Sequence, residues 1–118
     1  MKLRYAIAKR LSGVIERRAK RTIEERFPAL ARDIADYRSR SPSTGCTYAD
    51  YLLHYMWIRL HRPREVLECG TGVSTVVLAR ALMENEKEHG IPWRLVSMEE
   101  SRSYYDAALG CLPGHLKN

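Results

Sequence analysis

The sequence predicts an α/β protein: one strand–helix–strand unit preceded by helices. Three observations predict it. Apolar residues in the first half recur at three- and four-residue steps, the period of a helix face. Two short apolar runs, Glu65–Cys69 and Trp93–Met98, have strand character. Between them, Gly70-Thr71-Gly72 breaks the chain and an almost continuously apolar helical pattern follows. At 118 residues and 13.6 kDa the chain has the size of one small domain.

The elements follow in order. Leu3, Ile7, Leu11, Val14, Ile15, Ala19 and Ile23 place a single helix over residues 3–26. This apolar face is expected to be covered by the body or by a second copy. Gly13 weakens the helix and Pro28 stops or restarts it. A second helix covers 29–38 through Leu30, Ile34 and Tyr37. Ser39 to Gly45 is the clearest loop, and it separates a basic helical segment, 1–40, from a body, 41–118. Thr47 with Asp50 three residues on resembles a capping box, so a helix starts there. It runs to about Leu60, with Tyr51, Leu52, Tyr55, Met56 and Trp57 inward, and ends before Pro63. Val73 to Glu88 is a helix apolar on more than one side, stopped at Gly90. Ser101 caps a last helix through Tyr104, Tyr105, Ala107, Ala108 and Leu109, ending before Pro113-Gly114.

Charge divides the chain unevenly. Residues 1–40 carry twelve basic and five acidic side chains, a net +7; residues 41–118 carry eight and nine, a net −1. The whole is +6, and no apolar run approaches the ~20 residues of a bilayer span. Three cysteines without a CxxC spacing predict neither a disulfide framework nor a zinc site. Residues 1–15 have four basic side chains and no acid, as a mitochondrial presequence has, but Glu16, Glu24 and Glu25 follow in the same helix. A cytoplasmic protein is the expectation.

The chemistry concentrates in Val66-Leu67-Glu68-Cys69-Gly70-Thr71-Gly72-Val73-Ser74-Thr75. An apolar strand ends in an acid, a glycine turn follows, and the turn opens a helix whose free N–H groups suit a carboxylate. This stretch resembles motif I of the class I S-adenosylmethionine-dependent methyltransferases: Glu68, Gly70 and Gly72 match, with Ser74 where a third glycine is common. The Gly-Thr-Gly-x-Ser-Thr order is similar to a branch that carries Gly-Ser-Gly-x-Ser-Thr. A dinucleotide fingerprint would need glycine at position 75, where the chain has Thr75. A tight strand–helix turn without a ligand is the plainer alternative.

The resemblance implies a Rossmann-like methyltransferase fold, here only in part, with S-adenosyl-L-methionine as cofactor. It implies Glu68, Gly70, Thr71, Gly72, Ser74 and Thr75 around the methionine end. It also implies Glu99, after the Leu95–Met98 run, as acceptor for the two ribose hydroxyls. Glu100 is the neighbour that would serve if the strand ended one residue later. Cys69 reads as a small apolar filler, Trp57 and Trp93 as core, and His54 and His61 as solvated or hydrogen-bonded. Tyr48, Tyr51 and Tyr55 stand where related enzymes place helices over the methionine end.

The resemblance covers residues 47–118 and reaches two of the family's seven strands. Leu112 to Asn118 reads as an approach to a third, so the expectation is a cofactor-binding portion cut before strand three, inactive alone, with catalytic residues and methyl acceptor beyond it. A reading from another class is a non-enzymatic interaction protein. Its basic helix would bind an acidic partner, nucleic acid or a membrane surface, with weak, salt-sensitive polyanion binding and homo-oligomers as the associated expectations.

Overall fold

The computed structural model describes residues 2–41, 46–112 and 114–116, and it is mostly helical with one small parallel sheet. The order is α1 (Lys2–Arg26), α2 (Pro28–Arg40), α3 (Tyr48–His61), β1 (Glu65–Cys69), α4 (Val73–His89), β2 (Arg94–Met98) and α5 (Arg102–Cys111), then a 3-10 turn at Gly114–Leu116. The residues expected to form the loop before Thr47 lie partly outside the described residues; Ser39 and Arg40 belong to α2. The expected stop at Pro113 also lies outside them.

Local chemistry explains the boundaries. Pro28 takes the first position of α2, where its missing N–H costs nothing. Thr47 and Asp50 form a full capping box: Asp50 N–H donates to Thr47 Oγ1 (3.2 Å), and Thr47 N–H donates to Asp50 Oδ2 (3.1 Å). Gly90 ends α4 at φ 66°, in the left-handed region that favours glycine. Ser101 stands at the start of α5 without a side-chain cap bond.

β1 and β2 are parallel neighbours, with Val66 opposite Leu95, Leu67 opposite Val96 and Glu68 opposite Ser97. With α4 between them they make one βαβ unit. Helix α4 sits centrally, packed against α3, α2, β2 and the 3-10 turn. Its buried Val73, Val76, Val77, Ala79, Ala81 and Leu82 join Ile23, Leu30, Ile34, Tyr37, Tyr51, Tyr55 and Ile58 in one core. Buried polar groups tie the helices to it. Asp33 of α2 accepts from Arg80 Nε of α4 and lies 3.0 Å from His115 Nε2. Asn85 of α4 accepts from Arg59 and donates to the Ile58 carbonyl (2.9 Å).

Two expectations fail, and one of two alternatives for α1 falls. Leu3, Ile7, Leu11, Val14 and Ile15 are exposed, so the body does not cover the apolar face of α1. Only Ala19 and Ile23 of that helix are buried; α1 meets α2 and α3, and its bonds to α3 start at Glu16, which accepts from Tyr48 and Ala49. Met56 and Trp57 are exposed and Ile58 is buried in their place, since the inward face of α3 runs through Tyr51, Tyr55 and Ile58. Cys69 is exposed rather than filling the core. It alternates with buried Glu68 and so lies on the sheet face away from α4, with Leu67, Val96 and Met98.

Candidate functional site

The turn after β1 is built by its own backbone. Gly70 adopts φ +93°, a conformation strained for any residue with a Cβ, and its N–H donates to the Met98 carbonyl (2.6 Å), which ties the turn to the end of β2. Gly72 N–H donates to Thr75 Oγ1 (3.1 Å) and Thr75 N–H to the Gly72 carbonyl (3.1 Å), which opens α4. The amino end of this seventeen-residue helix carries no acid in its first turn. The carboxylates nearest this positive helix end come instead from the strands, Glu68 of β1 and Glu99 after β2.

Glu68 is buried beneath the turn. It accepts hydrogen bonds from the hydroxyls of Ser74, Thr75 (2.6 Å) and Ser97 (2.8 Å). An ionised carboxylate offers about four acceptor positions, so three hydroxyls leave it nearly saturated. One carboxylate thus joins β1, the first turn of α4 and β2. Ser97 was not foreseen as part of the site; the signal for it is a polar residue at an inward position of a strand.

Glu99 follows β2 by one residue and turns back to the glycine turn. Its Oε2 accepts from Thr71 N–H (3.2 Å) and Thr71 Oγ1 (3.4 Å), and its Oε1 accepts from Ser101 N–H (3.0 Å). The Ser101 and Thr71 N–H groups hold its carboxyl below the usual glutamate range, so it is an ionised acceptor at neutral pH. Glu100 is exposed.

Two cavities adjoin these residues. A cleft of about 530 Å³ lies between Cys69, Gly70, Met98, Glu99 and Glu100. A smaller one of about 190 Å³ is lined by Cys46, Cys69 and the stretch from Gly70 to Ser74. A Cβ at Gly72 would meet no atom within 4 Å, so the bare backbone there faces open space. Cys46 was missed by sequence reasoning; nothing in its spacing marks it, and burial pushes its thiol up, away from a reactive thiolate.

The other residues singled out lie apart. Tyr51 and Tyr55 are core residues, and Tyr48 packs edge-on against Tyr51 with ring centroids 5.5 Å apart. None of the three lines either cavity at the turn. His61 stacks on Trp57 at 4.3 Å. His54 and Trp57 border a groove of about 540 Å³ along β1. Trp93 is half-buried and donates to Glu86 (2.7 Å). Among the described residues no group of three His, Cys, Asp or Glu side chains is placed to hold a metal ion.

The arrangement is a glycine turn, a helix amino end and an ionised carboxylate grouped at the carboxyl ends of two parallel strands, where ligands of open α/β sheets bind. No protein-family model, curated protein or solved structure matches this chain.

Proposed function

We infer that the βαβ unit is the S-adenosylmethionine-binding portion of a methyltransferase with a partial Rossmann-like fold. One observation carries the reading: the acid after the second strand and the glycine turn after the first share one cleft, joined through Glu99 and Thr71. Its volume, about 530 Å³, falls within the roughly 300–1,000 Å³ of small-molecule sites. The residues suit the cofactor's parts. Glu99 would accept from the ribose hydroxyls, exchanging its bonds to Thr71 for them. The bare backbone of Gly70–Gly72 and the amino end of α4 would receive the methionine end. Glu68 holds that turn in shape, with about one acceptor position left for an ammonium group. Bound there, S-adenosylmethionine would supply an activated methyl group on sulfur.

Titration calorimetry of S-adenosylmethionine and S-adenosylhomocysteine into the chain tests this. Saturable, salt-tolerant binding is expected. Glu99→Ala should weaken it roughly ten- to a hundredfold, the range for losing a charged acceptor to a hydroxyl pair. Glu100→Ala should be nearly neutral. Greater loss in Glu100→Ala than in Glu99→Ala, or no saturable binding at all, would overturn the reading.

A further inference from the structure

Helix α1 carries two faces that point apart. At 3.6 residues per turn, the exposed stripe of Leu3, Ile7, Leu11, Val14 and Ile15 is centred about 130° around the helix from buried Ala19 and Ile23. Helix α3 has the same division. Tyr51, Tyr55 and Ile58 face the core, and Leu53, Met56, Trp57 and Leu60, at steps of three and four, face outward. These are not scattered side chains: Leu3 is 74% exposed, Leu53 65% and Leu60 75%. The last residue of the α1 stripe, Ile15, meets the α3 stripe in a groove of about 580 Å³ between the helices, where it and the neighbouring Ala19 oppose Leu53, Met56, Trp57 and Leu60. No acid lines it; Arg18, Thr22 and His61 are its polar residues.

The charge beside this band identifies what covers it. At the same helical pitch Arg4 and Arg18 fall within the stripe and Arg10 and Arg17 along its edge, with no acid among residues 2–15. Helix α1 as a whole holds nine basic and three acidic side chains. A second copy laid along the stripe would set like charge against like. Nucleic acid offers the opposite charge but no apolar layer, and would leave Leu3, Ile7 and Leu11 in water. A bilayer surface rich in anionic lipid offers both: depth for the apolar side chains, negative charge for the basic ones, and a headgroup layer suited to a tryptophan such as Trp57. Among the described residues no helix is long and apolar enough to cross a membrane, so the helices would lie in the surface.

We propose that the outward stripes of α1 and α3 form a docking surface for anionic lipid bilayers, an inference independent of the cofactor reading. The test uses the full chain carrying Trp93→Phe, so that Trp57, the other of the two tryptophans, reports alone. The probes are phosphatidylcholine vesicles with and without about 30 mol% phosphatidylglycerol, a composition that supplies a negative surface potential. The Trp57 emission should shift to the blue on the anionic vesicles, with partition roughly tenfold or more above that to neutral ones. Arg4→Gln and Arg10→Gln should each weaken it about fivefold. Ile7→Ser with Leu11→Ser, both at exposed positions and checked by circular dichroism for retained helix, should abolish most of it. Unchanged partition in that double variant would overturn the proposal. So would binding of duplex RNA without binding of vesicles, or dimers in sedimentation with no vesicle binding.

Discussion

At the scale of single residues, the buried polar groups divide into those with partners and one without. Glu68 and Asn85 are bonded on several sides. Tyr51 is fully buried, and its hydroxyl has no hydrogen-bond partner among the described residues. Burial pushes its pKa up to about 12, with Arg38 acting against the shift. The neutral form is thus the one the fold favours. Its contribution is complete below the ordinary tyrosine value of about 10 and is lost as the pH rises toward the native value. Tyr51→Phe removes an unpaired buried hydroxyl and keeps the ring. It should raise unfolding free energy by about 1 kcal/mol in urea titrations and lessen the loss of stability above pH 10.

At the scale of elements, helix α3 shows how a sequence signal becomes structure. The Thr47–Asp50 box was legible because both residue types and their spacing are set by the backbone groups they must reach. Glu16 of α1 adds what no local pattern shows: its carboxylate accepts from Tyr48 N–H (2.6 Å) and Ala49 N–H (3.2 Å), at the same helix end. Thr47→Ala should cost about 1 kcal/mol in thermal unfolding. The Thr47 backbone N–H, then its hydroxyl, hold the Asp50 carboxyl below the usual aspartate range. Its contribution is therefore present above the unfolded value of about 3.9 and lost as the pH falls through the lower native one. Asp50→Asn should reduce the dependence of stability on pH over that acid range. Periodicity located every helix and both strands, and the inward face of α2 through Leu30, Ile34 and Tyr37, but not the inward face of α1 or all of that of α3. The outer side of α3 is as apolar as the inner, so Met56 and Trp57 read as core from sequence, and only the packing against α4 selects Ile58. The glycine turn and both acids were legible from residue type and order. Ser97 and Cys46 were not, because they reach the site through strand pairing and the approach of a distant segment.

At the scale of the whole molecule, the chain is less compact than its length allows. Its radius of gyration is 15.3 Å, against about 13.5 Å for a globular chain of this size, since the first turns of α1 pack on nothing among the described residues. The five residues around the main cleft include none to which the cofactor reading gives a catalytic role. The chain by itself is therefore expected to transfer no methyl group. Incubation with labelled S-adenosylmethionine and a mixture of nitrogen and oxygen acceptors should give no labelled product above a protein-free control.

The two-stranded sheet has a consequence for handling the protein. Among the described residues each strand has a single neighbour, so a row of backbone donors and acceptors on β1 and another on β2 stay unspent, beside outward Leu67, Val96 and Met98. Such edges are templates for other chains, and β1 has no lysine or proline to blunt it, only the charges of Glu65 at its start and of inward Glu68. Concentrated solutions should therefore build cross-strand assemblies with time, scattering more light and binding thioflavin. Leu67→Lys, at an exposed position central to that edge, should delay their growth while leaving the helical circular dichroism unchanged.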